Sequence, residues 1–230
     1  MEHHLSIEES IRFGWEKTRL HSTLIFQVIV TLFAVQVAEQ VVTRVLRHTF
    51  EGALASAGLF VLAVVLGIGF TLIILRIAEG KAAVYQDVVP PVGVSVSYIG
   101  AVILAGIITA APLMVAALLC LIAFMVLPTM AASVVCAVVV ATAFVMAVYL
   151  ALRYMFVRFA ILENTNVTKS LAHSAHLTHG HKWWLMGFSL VLGLLNLLGA
   201  LLLMVGLLVT IPVTMFAYAH VYTKLKAHNH

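Results

Sequence analysis

From residue 88 to residue 152 the chain carries no Asp, Glu, Lys, Arg or His. A fold in water leaves part of any long segment at its surface, and such surfaces are normally charged. Lipid is the solvent that asks for no charge. One crossing of a bilayer core takes about 20 apolar residues, so this run is too long for one helix and is expected to hold two. Pro128 is the natural break, because proline cannot continue the backbone hydrogen-bond ladder. The expected spans are 98–127 and 129–162. Both exceed the thickness of the hydrocarbon core, which implies tilt, a kink or extension into water. Pro112 is the expected kink.

The flanking sequence divides in the same way. Spans are expected at 23–46 and 53–78. The final stretch, 183–223, also lacks formal charge and is expected to hold two short spans, 183–199 and 203–223, with Gly199 or Gly206 in the turn. One long kinked helix or a re-entrant pair would satisfy the same hydropathy. Composition agrees, with 63% hydrophobic and 10% charged residues against about 25% charged in soluble domains. The fold class is therefore all-α, an integral membrane bundle of about six transmembrane helices forming one membrane domain over 1–230.

Orientation follows from the basic residues. The N-terminal segment holds Arg12, Lys17 and Arg19, the second loop Arg76 and Lys81, the fourth Arg153, Arg158, Lys169 and Lys182, and the tail Lys224 and Lys226. Only Arg44 and Arg47 lie on the other side, so eleven of thirteen basic residues share the face expected to be cytoplasmic. Both termini fall on that face, and the expected location is the bacterial cytoplasmic (inner) membrane. The net charge of +4 then reads as orientation signal and contact with anionic lipids, not as nucleic-acid binding. The expected partners are the bilayer and its anionic lipids, with a second copy or another membrane protein as further candidates. Cys120 and Cys136 lie in apolar runs and read as small buried hydrophobes.

Two segments are helical without spanning. Ser6 followed three residues later by Glu9 makes a capping box. Ile7, Ile11 and Trp15 then recur every four residues, giving an amphipathic interfacial helix at 6–18. Asn166 caps a second, at 166–179, with Val167, Leu171 and Ala175 at the same spacing and Gly180 as its stop. The two align at an offset of 160, matching Ser6 with Asn166, Ser10 with Ser170 and Gly14 with Ser174. Such self-similarity suggests repeated units, each an interfacial helix plus a hairpin. The middle copy, near Lys81 to Pro91, matches poorly.

The segments SIEESIRFGW and RFAILENTNVTKSLAHSAHLTHGHKWW resemble a broad, poorly characterised group of bacterial multi-pass membrane proteins. That group includes the membrane domain preceding the catalytic domain of some glycerophosphoryl diester phosphodiesterases. Its small-residue amphipathic helix, with serines at the Ser170 position and near Ser174, leads into the last hairpin. The resemblance implies a helical membrane bundle and transfers no catalytic residue, because the phosphodiesterase chemistry belongs to a separate soluble domain. His173, His176, His179 and His181 depart from the group's pattern.

Those four histidines are the first candidate site. Residues three apart are neighbours on a helix, and neutral imidazoles ligate zinc, copper or nickel. Gly180 would let His181 fold back towards the others. The stronger metal patterns, histidines four apart or an added carboxylate, are missing, so the competing expectation is a polar face that uses histidine. The second candidate is a polar path in the first span, formed by Gln36, Glu39, Gln40 and Arg44. Glu39 is the only acid inside an expected span, and an ionisable residue at membrane depth is a functional candidate. The expected function is non-enzymatic, a scaffold or a module for partners or lipid, with no cofactor. A channel or transporter using the Glu39 path is the alternative.

Overall fold

The computed structural model describes residues 6–46, 49–202 and 206–228. Arg47 in the first loop therefore lies outside the described residues, as does the start of the last expected span. The described chain is helical throughout: α1 (Ile7–Leu20), α2 (Ser22–Val45), α3 (Phe50–Ala78), a 3-10 turn at Tyr85–Val88, α4 (Val92–Val126), α5 (Thr129–Arg153), α6 (Val157–Asn164), α7 (Val167–Leu177), α8 (Lys182–Leu201) and α9 (Leu207–His228). Among the described residues, five stretches are long and apolar enough to cross a membrane: α2, α3, α4, α5 continued through α6, and α8. α9, at the position of the expected sixth span, is not among them.

Several local expectations hold. Pro128 caps α5 and separates it from α4. Pro112 lies inside α4, which stays α-helical through it. That helix starts earlier than expected, at Val92, because the carbonyl of Pro91 accepts from the amides of Val94 and Ser95. The expected span 129–162 is matched by one apolar stretch, Thr129–Asn164, with a break between α5 and α6 at Tyr154–Phe156.

The chain packs as two compact units, Met1–Ser95 with Phe188–His230, and Val96–Gly187. In the first unit, α2 and α3 pack as an antiparallel hairpin. Ile25 and Val28 of α2 and Leu66, Ile68, Phe70, Ile73, Ile74, Leu75 and Ile77 of α3 are buried. α9 packs on α1 and α3 and is buried along much of its length, with Phe216, Ala217, Val221 and Tyr222 at 0% exposure. In the second unit, Ala101, Val157, Ile161 and Leu171 form a core cluster, with Tyr98 and Tyr154 packed against it.

The second unit also buries small side chains and exposes large ones. Ala116 and Ala123 on α4, and Ala132 and Ala143 on α5, are buried, whereas Leu118, Ile122, Val138 and Phe144 are exposed. A fold in water does the reverse.

Candidate functional site

The two short helices α1 and α7 build matching joints, one in each unit. On α1 the Ser6 hydroxyl accepts from the Glu9 amide at 3.4 Å, and Ser10 Oγ donates to the Ser6 carbonyl at 3.0 Å. On α7 the Asn166 side chain accepts from the Lys169 amide at 3.2 Å, and Ser170 Oγ donates to the Asn166 carbonyl at 2.9 Å. In each case the side chain satisfies a first-turn amide that the helix leaves without a partner. The pairing of Ser6 with Asn166 and Ser10 with Ser170 is thus matched by identical local bonding.

The faces that dock also match. α1 buries Ser10 and Gly14, and α7 buries Ser170 and Ser174 at the aligned positions, together with Leu171 and Leu177. A Cβ on Gly14 would overlap the Val213 carbonyl of α9. At the equivalent place Ser174 Oγ donates to the Arg153 carbonyl at 3.0 Å, joined by Thr178 Oγ1 at 3.3 Å. Arg153 is the last residue of α5. The Val157 amide, which would continue the ladder, bonds Tyr154 instead. The two hydroxyls therefore occupy a carbonyl that the helix break sets free.

The small residues, not the apolar stripe, are what α1 turns towards protein. Ile7, Ile11 and Trp15 instead line an open cleft of about 640 Å³ with Leu195, Val209, Thr210 and Val213. Trp15 is 55% exposed.

The first unit has a third joint where the middle repeat was expected. The helix there is a single 3-10 turn, Tyr85–Val88, because Pro90 and Pro91 follow at once and proline removes the donors a longer helix would need. The turn packs on α3, and a Cβ on Gly69 would overlap the Val88 carbonyl. Asp87 Oδ2 accepts from the Val84 amide at 3.0 Å, and Asp87 Oδ1 meets Arg76 Nη1. The Val84 hydrogen bond, followed by the hydrogen bond and charge of Arg76, holds the Asp87 carboxyl below its ordinary value of 3.8 against the opposing effect of burial. A carboxyl lowered in this way stabilises the fold above its ordinary pKa, and the contribution fades as pH falls through the folded value. The melting temperature of Asp87→Asn, measured in detergent, is expected to lie below wild type at pH 7. The gap should close as the pH is taken below 4; a gap that persisted there would show that ionisation of Asp87 contributes nothing.

Lysines fasten the end of α9. Lys224 Nζ reaches Glu9 Oε1 on α1 at 2.7 Å, Lys226 Nζ lies 3.8 Å from Glu79 Oε1, and Phe13 stacks on His220 with ring centroids 4.2 Å apart. Nothing in linear spacing pairs these residues, and sequence reasoning missed them.

The four histidines are not brought together. His173 is half-buried on α7 and His176 is exposed on it. His179 and His181 are exposed beyond its end, on either side of Gly180, whose φ is +85°. Among the described residues no three His, Cys, Asp or Glu side chains gather as a metal ion would require. The expected stop at Gly180 is present; the expected fold-back of His181 into a ligand set is not. Of the polar-path candidates on α2, Glu39 is half-buried, whereas Gln36, Gln40 and Arg44 are exposed. A cleft beside α2 lies near its other end, lined by Phe26, Gln27, Val30, Thr31 and Tyr85.

No family model, curated protein or solved structure matches the chain.

Proposed function

We propose that the chain is a non-enzymatic multi-pass protein of the bacterial inner membrane, a scaffold or a module for partners and lipid. In this reading α9 supplies a sixth span, and both termini are cytoplasmic. The supporting observation is the inverted surface of the α4 and α5 helices, with alanines inside and large aliphatic and aromatic side chains outside. A bilayer stabilises that arrangement, since its driving force is close packing of small residues and not removal of apolar surface from water. The basic residues at the helix ends support the orientation. The hydroxyl-faced α7 is the part that carries the likeness to the phosphodiesterase membrane domains, and kinship with that group belongs to the proposal.

Alkaline carbonate washing of membranes should leave the protein in the pellet. A fluorescent protein fused after His228 should fluoresce, and alkaline phosphatase at the same site should stay inactive. Carbonate extraction would overturn the membrane reading, and the opposite reporter pattern would overturn the orientation. An ion flux in liposomes that Glu39→Gln abolished would replace the scaffold with a conduit.

A further inference from the structure

Cys120 and Cys136 each lie eight residues from Pro128, so the chain reversal there sets them opposite one another. Cys136 Sγ is 3.9 Å from the carbonyl oxygen of Cys120, and both thiols are free and half-buried. Buried alanines flank them, Ala116 and Ala123 on α4 and Ala132 on α5. Small neighbours let two helices approach closely, and a disulfide needs Cβ atoms about 3.5–4.5 Å apart. A sulfur that already reaches the backbone of residue 120 is within a side-chain rotation of that residue's own sulfur.

We propose that Cys120 and Cys136 are a redox pair that closes into a reversible disulfide, stapling α4 to α5. An apolar seam excludes bulky charged oxidants, so the matching co-reactant is a small, uncharged two-electron, two-proton acceptor of the azo class. The first thiol adds to the acceptor, and the second attacks the sulfur of that adduct. The sulfur–acceptor bond breaks as the S–S bond forms. Both thiol protons and the electron pair end on the acceptor, an azo N=N becoming HN–NH. The staple depends only on the pairing of α4 and α5, and holds whichever way the chain is oriented.

The test uses the full-length protein in mild detergent with diamide as the azo oxidant. The sample is acid-quenched, denatured, alkylated with N-ethylmaleimide and weighed intact by mass spectrometry. The expected product is a monomer two hydrogens lighter that takes up no maleimide, and dithiothreitol should restore two reactive thiols. The displaced pair Cys136→Ala/Ala137→Cys moves the thiol one residue round α5 to an exposed position and should close at least tenfold more slowly. Wild type that keeps two alkylatable thiols, or that links into dimers, would overturn the pair. So would a displaced pair that closes as fast as wild type.

Discussion

Gly69→Ala should lower the stability of the detergent-solubilised protein by about 3 kcal/mol, the upper end of what overpacking costs in a packed interior, while Gly67→Ala leaves it unchanged or slightly raised. Both glycines lie on α3, two residues apart. A Cβ at Gly67 meets nothing within 4 Å, whereas at Gly69 it runs into the carbonyl, carbonyl carbon and Cα of Val88. Those are backbone atoms, so no side-chain rotation relieves the clash and the 3-10 turn has to leave α3. With it would go the contact of Asp87 with Arg76. Helix propensity alone favours alanine over glycine by about 1 kcal/mol, which sets the sign expected at Gly67. Two readouts suffice: the midpoint of thermal unfolding, and the rate of proteolysis between Lys81 and Pro91, which should rise only for Gly69→Ala. Equal effects at the two positions would mean that the turn does not dock on α3 through Gly69. Gly14→Ala is expected to act in the same direction by loosening α1 from the Val213 carbonyl.

Local signals in the sequence were read well. The apolar runs became helices, Pro128 ended one and capped the next, and Ser6 and Asn166 capped the helices they open. Each of these depends on a residue and its near neighbours. Faces and pairings were harder. Hydropathy marks Ile7, Ile11 and Trp15 as the apolar side of α1 but is silent on its docked side, which carries Ser10 and Gly14, because close backbone approach rewards small size and not apolarity. Helical spacing groups Glu39 with Gln36, Gln40 and Arg44 on α2, but it does not tell that Glu39 alone of the four is half-buried. The break at Tyr154–Phe156 contains neither glycine nor proline. Its free carbonyl is occupied from α7, more than twenty residues along the chain, which no window of local sequence reveals.

That same break should make stability depend on two hydroxyls together more than on either alone. Ser174→Ala leaves the Arg153 carbonyl with Thr178, and Thr178→Ala leaves it with Ser174. Each single change is expected to cost about 0.5 kcal/mol, near the average for hydrogen bonds between membrane helices. Ser174 should be the larger, since the Thr178 hydroxyl is also within bonding distance of the Ser174 and Ala175 carbonyls. The double variant removes both donors and leaves a shielded carbonyl unpaired, which costs about 1–3 kcal/mol. The sum of the singles should therefore fall short of the double, the signature of groups that share one partner. Ser170→Ala is the control. Ser170 is as buried as Ser174, at 0% exposure, but its hydroxyl bonds the Asn166 carbonyl four residues back on its own chain. That carbonyl already accepts from the Ser170 amide, so the loss should be slight. Unfolding midpoints of the four variants in one detergent decide the matter. A double variant equal to the sum of its parts, or a Ser170→Ala as damaging as the double, would mean that burial of small residues, and not the carbonyl of Arg153, holds α7 in place.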